Sequence, residues 1–420
     1  MEYGLIGEKL GHSYAKEVHE ALADYDYRLW PLPTEQEAHD FMQKRNFKAI
    51  NVTIPYKQLV IPYCALLEPK AEKIGAVNTI VNRDGFLHGY NTDYDGFLYM
   101  AKQHGVDFKD KTVLVLGTGG TSHTVNAVAM DEGAKQVIFV SRSKKDGAIT
   151  YEEAPSHSEV QIIINTTPAG MYPNVGGCHI QPADFPNLEA VLDVVYNPFR
   201  TELIMRAEEA GVIASGGLQM LVAQAVYAAR HFIRQHIPES HIAPICEQIY
   251  AMHANISLVG MPSSGKTTIG RYLAQVLDRK FVDLDAEIEK AEGRKPADII
   301  REDGEEAFRA IEQRITAQVG KENGQVISCG GGVIKRKENV RALHQNGLIV
   351  FIDRPVELLR VGGDRPLSGS LEALRQMEQE RRPLYESIAD ITVVNDSDVF
   401  LDAAKEAERA IHEAFGYKWA

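Results

Sequence analysis

Eight consecutive residues, Gly260-Met261-Pro262-Ser263-Ser264-Gly265-Lys266-Thr267, have the types and spacing to grip a nucleoside triphosphate. They follow the apolar run Ile256 to Val259 and lead into a helical pattern from Ile269 to Leu277. Between a strand and a helix, such a loop turns successive backbone N–H groups into one concavity. The helix N-terminus adds positive potential for phosphate oxygens. Gly260, Ser263, Ser264, Gly265 and Thr268 form the cradle, Lys266 reaches the terminal phosphates, and the Thr267 hydroxyl offers magnesium the oxygen donor it prefers. The alternative is a glycine-rich connector that matches by chance, which the four fixed positions and both flanks oppose.

A second loop, Gly117-Thr118-Gly119-Gly120-Thr121-Ser122, follows the strand pattern Lys111 to Leu116 and opens another helix. That is where a dinucleotide pyrophosphate sits. Gly117, Gly119, Gly120 and Thr121 are the candidate contacts. Ser122 fills the usual third glycine position, and a plain strand-to-helix turn would look similar. The following strand, Val137 to Val140, ends in Ser141-Arg142-Ser143-Lys144-Lys145, with no carboxylate to hold a ribose 2′-hydroxyl. Arg142, between Ser141 and Ser143, favours a 2′-phosphate and hence NADP(H). A solvated basic turn is the other reading.

The elements that position these loops read as α/β throughout. Apolar β-rich runs at Lys111–Leu116, Val137–Val140, Val160–Ile164 and Val191–Val194, then Ile256–Val259, Val326–Ser328 and Leu348–Ile352, alternate with helical patterns. Two units with largely parallel sheets are expected. Helical patterns at Met220–Ile233 and on to Met252 precede a boundary placed near Ala254. The 420 residues, with 44% hydrophobic and 25% charged, suit two to three globular domains. No apolar run reaches the roughly 18 residues of a membrane span, and the start lacks a secretory pattern, so a cytoplasmic location is expected. Cys64, Cys178, Cys246 and Cys329 are scattered and read as reduced thiols. A net charge of −13 leaves no electrostatic footprint for nucleic acid or an anionic membrane, which points to small-molecule partners. Oligomeric state is not encoded in these patterns.

Around the second loop lie Gly11-His12-Ser13, Asn51-Val52-Thr53-Ile54-Pro55-Tyr56-Lys57, Gly75 to Thr79, Asn91-Thr92-Asp93, Asn165 to Met171, Asp193 through Tyr196 to Pro198, and Gly217 to Ala225. In order and spacing they resemble shikimate dehydrogenase over about the first 250 residues. The resemblance implies NADPH-dependent reduction of 3-dehydroshikimate, with a substrate domain (residues 1–100 and 216–254) joined to a Rossmann domain (101–215). It further implies that Lys57 donates the proton and Asp93 holds it. Ser13, Thr53, Asn78, Tyr196 and Gln224 would bind substrate, with Gly217 near the nicotinamide. Where the family usually reads Ser-x-Ser-Pro after His12, this chain has Ser13-Tyr14-Ala15-Lys16, so one hydroxyl for the substrate carboxylate is missing. Weaker binding, or a preference for quinate or a related ring acid, is the expected consequence. The stretch 144–161 is short and polar for the family, and His12 reads as structural.

Downstream of the triphosphate loop come Asp283-Leu284-Asp285, Gly304 to Arg309 with Glu312, Gly330-Gly331-Gly332, Arg365-Pro366-Leu367, and Arg381-Arg382-Pro383-Leu384-Tyr385. Together they resemble shikimate kinase over residues 255–420. The resemblance implies ATP as phosphoryl donor. Asp283, with Thr267, would serve magnesium, and Asp285 would orient the attacking hydroxyl and accept its proton. Both aspartates are expected on one side of an extended segment. Arg309 and Arg381 would fork the shikimate carboxylate, with Glu312 holding Arg309 and Gly331 and Gly332 letting backbone approach the ring. Arg365 would sit in a closing lid, and Arg360 would stack on adenine. Cys329 reads as a small core residue. The two halves then make and phosphorylate shikimate in sequence. A sensor that keeps both folds without turnover is the rival, and it would have lost reactive residues; Lys57, Asp93, Lys266, Asp283, Asp285, Arg309 and Arg381 are all in place.

Overall fold

The computed structural model describes residues 2–11, 13–144, 147–361, 370–397 and 399–417. It divides into two compact units, Met1–Ile249 and Tyr250–Ala420. Among the described residues no helix is long and apolar enough to cross a membrane.

The first unit holds two six-stranded sheets. In the first sheet, β1 (Tyr3–Gly7), β2 (Tyr27–Pro31), β3 (Ala49–Val52), β4 (Leu66–Leu67), β5 (Thr79–Arg83) and β6 (Phe86–Tyr90) lie in the order β2-β1-β3-β5-β6-β4. The β1 strand pairs in parallel with β2 and β3, whereas β5 runs antiparallel to both β3 and β6, so this sheet is mixed. The tight turn at Asp84-Gly85, both at positive φ, makes the β5–β6 hairpin. Ile6, Ile50, Val52, Ile80 and Leu87 pack into one core with Met42 and Tyr56.

The second sheet is wholly parallel. Its strands are β7 (Thr112–Leu116), β8 (Gln136–Ser141), β9 (Ile149–Thr150), β10 (Ile162–Asn165), β11 (Ala190–Asp193) and β12 (Ile213–Ser215), ordered β12-β11-β10-β7-β8-β9. This is the doubly wound order of a dinucleotide fold, with its switch point between β7 and β10. All five residues of β7 are buried, as expected for a central parallel strand. Between β9 and β10 only one 3-10 turn, Ala154–Ser156, forms.

Helix Thr92–Gln103 serves both sheets. Its Phe97 and Met100 share a core with Val113, Val115, Ile162 and Leu192. It crosses helix Leu218–Ile233 so closely that a Cβ at Gly96 would lie 2.8 Å from the Met220 carbonyl and from Gln224 Cβ. A glycine inside a helix costs roughly 1 kcal/mol; here it lets two backbones meet.

The second unit is a five-stranded parallel sheet: β13 (Asn255–Val259), β14 (Lys280–Asp283), β15 (Gln325–Ser328), β16 (Gly347–Asp353) and β17 (Ile391–Val394), ordered β14-β15-β13-β16-β17. Every residue of β13 and of β15 is buried. The carboxyl ends of β13, β14 and β15 open onto the triphosphate loop, Asp283 and the triple glycine, so sheet order gathers three distant motifs at one edge.

Candidate active sites

In the dinucleotide fold, Gly117 leaves β7 at φ 105, and a Cβ there would meet Thr167 Cγ2 at 2.8 Å and Thr166 Oγ1 at 3.0 Å. The loop after β10 therefore packs directly on the glycine loop at the switch point. Cβ atoms at Gly119 or Gly120 would touch nothing within 4 Å, so the backbone faces open space as helix Gly120–Asp131 begins, with Thr121 in its first turn. Ser122 is fully buried, and its hydroxyl donates to the Gly119 carbonyl at 2.6 Å, so it closes the turn rather than crowding it. Ser141 ends β8, and Arg142 and Ser143 are exposed beyond it.

Lys57, beyond the end of β3, meets Asp93, beyond the end of β6. Lys57 Nζ donates to Asp93 Oδ2 at 2.6 Å, with side chains only 13% and 11% exposed. Asp93 stands in the first turn of its helix, capped by the Asn91 side chain, which accepts from the Tyr94 N–H. Beside it, Asn78 Oδ1 accepts from the Thr92 N–H at 2.8 Å. Asn78 Nδ2 donates to Thr92 Oγ1 at 3.1 Å and reaches Gln224 Oε1 at 3.5 Å. Asn51 supports this group from below, donating to Thr79 Oγ1 at 3.0 Å. Asn51, Asn78, Thr79, Asn91 and Thr92 are all buried, so their mutual bonds are needed to offset desolvation. Thr53 leaves β3 with its methyl against Gly7, where a Cβ would come within 2.5 Å.

Tyr196 and Ser13 are hydrogen-bonded through their side chains, and burial raises the Tyr196 phenol. The Tyr14 ring lies 5.3 Å from the Tyr196 ring. The turn carrying Tyr196 is fixed by Asp193, which accepts from the Val195 N–H, Asn165 Nδ2 and Thr201 Oγ1 at 2.9, 2.9 and 2.7 Å. Burial pushes the Asp193 carboxyl up to about 7 against the pull of those donors. Gly217 N–H donates to the Val195 carbonyl at 2.9 Å, and a Cβ on Gly217 would sit 2.3 Å from the Val194 carbonyl. Only glycine fits there. Ala15 is buried in the apolar cluster with Leu5, Leu10, Tyr27 and Phe232.

In the second unit the loop runs through Gly260 at φ 146, Ser263 at φ 65 and Gly265 at φ 100 before helix Lys266–Val276 starts. Lys266 Nζ, largely buried, donates to the Gly260 and Met261 carbonyls at 3.0 and 2.8 Å. Ser264 is buried beneath the loop, where its carbonyl accepts from Asn395 Nδ2 at 2.8 Å, while Thr268 is exposed. Thr267 Oγ1 lies 3.2 Å from Asp283 Oδ2 and 3.1 Å from Ser328 Oγ.

Asp283 and Asp285 do not share an extended segment as expected. Asp283 ends β14 and caps helix Leu284–Glu292, its Oδ1 accepting from the Asp285 N–H at 3.1 Å. Asp285 is therefore in the first helical turn. Capping a helix satisfies a backbone donor that a continued strand would leave without a neighbour.

Arg309 is 6% exposed on helix Glu305–Gly320. Its Nη1 donates to Glu312 Oε2 at 2.7 Å, and its Nε and Nη2 donate to Glu305 Oε1 at 3.3 and 3.1 Å. Burial raises the Glu312 carboxyl and the Arg309 guanidinium lowers it again, with burial the larger effect. A Cβ on Gly332 would lie 2.2 Å from Arg309 Nη2, and one on Gly330 would lie 3.3 Å from Asp285 Oδ1. Arg381 Nη1 and the Tyr385 hydroxyl both donate to the Gly331 carbonyl, the former at 2.9 Å. The triple glycine thus threads between Asp285, Arg309 and Arg381. Burial raises the Cys329 thiol, consistent with a core residue. Arg360 is exposed. Arg365 and its lid lie outside the described residues, as does His12.

Sequence reasoning named Thr92 and Glu305 only as members of their motifs, without a role, and missed Gly96, Ser328 and Asn395. Gly96 carried a signal, a glycine inside a helical pattern, which marks close backbone approach. Glu305 stands one helical turn before Arg309, a spacing that marks a side-chain pair, whereas Ser328 and Asn395 act through partners distant in the chain and no local pattern marks them.

Residues 5–80 match the family model described as the shikimate dehydrogenase substrate binding domain, and residues 262–412 match that described as shikimate kinase. Shikimate dehydrogenase (NADP(+)) of Clostridium beijerinckii is 36% identical over 241 residues, covering 54% of this chain and 89% of that protein. The enzyme of the same name from Clostridium perfringens is 37% identical over 243 residues, covering 54% and 90%. Among solved structures, shikimate dehydrogenase 1 from Peptoclostridium difficile aligns with TM-score 0.55 at 33% identity, covering 59% of this chain and 98% of that one. A chorismate mutase/shikimate 5-dehydrogenase fusion protein from Clostridium acetobutylicum aligns with TM-score 0.55 at 33% identity, covering 59% and 96%. The chain belongs to the shikimate dehydrogenase family and carries a shikimate kinase domain fused behind it.

Proposed function

We propose that this chain reduces 3-dehydroshikimate to shikimate with NADPH and then phosphorylates shikimate to shikimate 3-phosphate with ATP. Residues 1–254 form the dehydrogenase part, with substrate elements in about 1–100 and 216–254 around a dinucleotide part at 101–215; residues 255–420 form the kinase part. The half-buried Lys57–Asp93 pair at 2.6 Å carries the first reading. As the ketone carbon accepts hydride its oxygen gains negative charge, and the Lys57 ammonium donates a proton to that oxygen while Asp93 fixes its position. Asn78 and Gln224 offer amides to ring hydroxyls, and the Ser13 and Tyr196 hydroxyls face the carboxylate. Gly217 lets the cofactor ring approach the backbone.

In the kinase part, Asp285 accepts the proton of the attacking hydroxyl, and Arg309 and Arg381 fork the acceptor carboxylate beside the Gly331 and Gly332 backbone. Lys266 moves to the terminal phosphates. The Thr267 hydroxyl and the Asp283 carboxylate, 3.2 Å apart, are an oxygen donor set that fits magnesium, which keeps most of its waters and needs few protein ligands. When bound, magnesium neutralises phosphate charge. Quinate as the preferred substrate, and a non-catalytic sensing role, are not favoured.

Incubation with 3-dehydroshikimate, NADPH and magnesium ATP, omitting each in turn, tests the proposal by product mass. Shikimate 3-phosphate that requires both cofactors is expected. Accumulated shikimate would refute the kinase reading, and unchanged 3-dehydroshikimate the dehydrogenase reading.

A further inference from the structure

Arg309 is held on two sides, and only one of its two carboxylate partners was anticipated. Glu312 lies one turn ahead and is 1% exposed; Glu305 lies one turn behind and is 37% exposed. Glu305 Oε1 takes both Nε and Nη2, the side edge of the guanidinium, and Glu312 Oε2 takes Nη1. A guanidinium has five N–H groups in one plane. Three are engaged by these contacts, and one proton each on Nη1 and Nη2 is left over. With Glu305 on the side edge, the two remaining protons belong to Nη1 and Nη2, the nitrogens whose shared edge matches a carboxylate.

Glu305 is itself anchored. Lys335, in the turn Val333–Lys335 that follows the triple glycine, donates from Nζ to Glu305 Oε1 at 2.8 Å. Lys335 is the largest influence lowering the Glu305 carboxyl, ahead of Arg309. Glu305 also opens helix Glu305–Gly320, where the N-terminal dipole favours a negative side chain. The same glycine run that closes over Arg309 at Gly332 therefore returns, three residues later, to fix the carboxylate that orients Arg309.

We propose that Glu305, anchored by Lys335, is a positioning residue for the acceptor of phosphoryl transfer: it turns the Arg309 guanidinium so that its Nη1/Nη2 edge meets the acceptor carboxylate. This rests on the kinase reading above. The opposing possibility is physical and distinct: Glu305 competes with the acceptor for Arg309, and its removal then tightens binding.

Steady-state kinetics of the full chain with shikimate and magnesium ATP separate the two. For Glu305→Ala the expected result is a KM for shikimate raised about fivefold to tenfold, with kcat within about twofold and the KM for ATP unchanged. Glu305→Gln, which keeps an acceptor oxygen but no charge, gives a smaller rise in the same direction. Lys335→Met gives a rise of about twofold to threefold, and Lys335→Arg restores the unaltered value. An unchanged or lowered KM for shikimate in Glu305→Ala overturns the positioning role. So does a loss of kcat with unchanged KM, which marks general damage. If the unaltered chain makes no ATP-dependent product, the kinase reading itself fails and this role fails with it; turnover by the unaltered chain keeps the two failures apart.

Discussion

Replacing Gly332 by alanine tests the kinase site with a single methyl group. Its φ of −110 is accessible to any residue, so the backbone itself does not resist the change. The added Cβ would stand 2.2 Å from Arg309 Nη2 and 2.5 Å from Cζ and Nη1, where ordinary contact begins at 3.4 Å. The guanidinium must then retreat by about 1 Å, a displacement large enough to spoil a hydrogen-bond fork. It cannot swing freely, because Glu312 and Glu305 hold it and the side chain is 7% exposed. Losing one charge-assisted bond to the acceptor costs about 1.5 to 3 kcal/mol, or roughly 10- to 100-fold in kcat/KM for shikimate phosphorylation. The same chain carries its own control, since NADPH oxidation with 3-dehydroshikimate reads the other unit. The assay is ADP release at limiting shikimate beside NADPH oxidation. Unchanged phosphorylation kcat/KM in Gly332→Ala would refute the placement of Arg309 against this backbone. Equal loss of both activities would show a folding defect instead.

Lys57→Met removes the proton donor and should lower the NADPH-dependent kcat by about 10²- to 10⁴-fold while leaving ATP-dependent turnover intact, as stopped-flow absorbance and a coupled ADP assay would show. Ala15→Ser restores the hydroxyl that the family pattern carries and should lower the KM for 3-dehydroshikimate by about tenfold; an unchanged KM would mean that this side chain stays in its apolar cluster and that the carboxylate is held elsewhere. Chelation of magnesium should abolish phosphorylation and spare reduction, and Asp283→Asn should raise the magnesium concentration needed for half-maximal turnover.

The two nucleotide loops were legible in the sequence because their chemistry is contiguous. Backbone N–H groups of neighbouring residues form each cradle, so a short motif between strand and helix specifies it. The inner parallel strands were legible for a related reason: a strand buried on both faces reads as an unbroken apolar run, as β7 and β13 do, whereas the edge strands β9, β12, β14 and β17 carry no such run and were not anticipated. The first hundred residues gave no comparable pattern, because the sheet there is mixed and built partly from a hairpin and the two-residue strand β4. Only tertiary structure decided what meets what. Sheet order and one close helix crossing at Gly96 bring Gln224 to Asn78 across 146 residues, and Lys57 to Asp93 across 36. Asn395 reaches the Ser264 carbonyl across 131 residues, and Lys335 reaches Glu305 across 30. These pairings depend on strand register and on how near two backbones can come, and neither quantity is written in the spacing of residues along the chain.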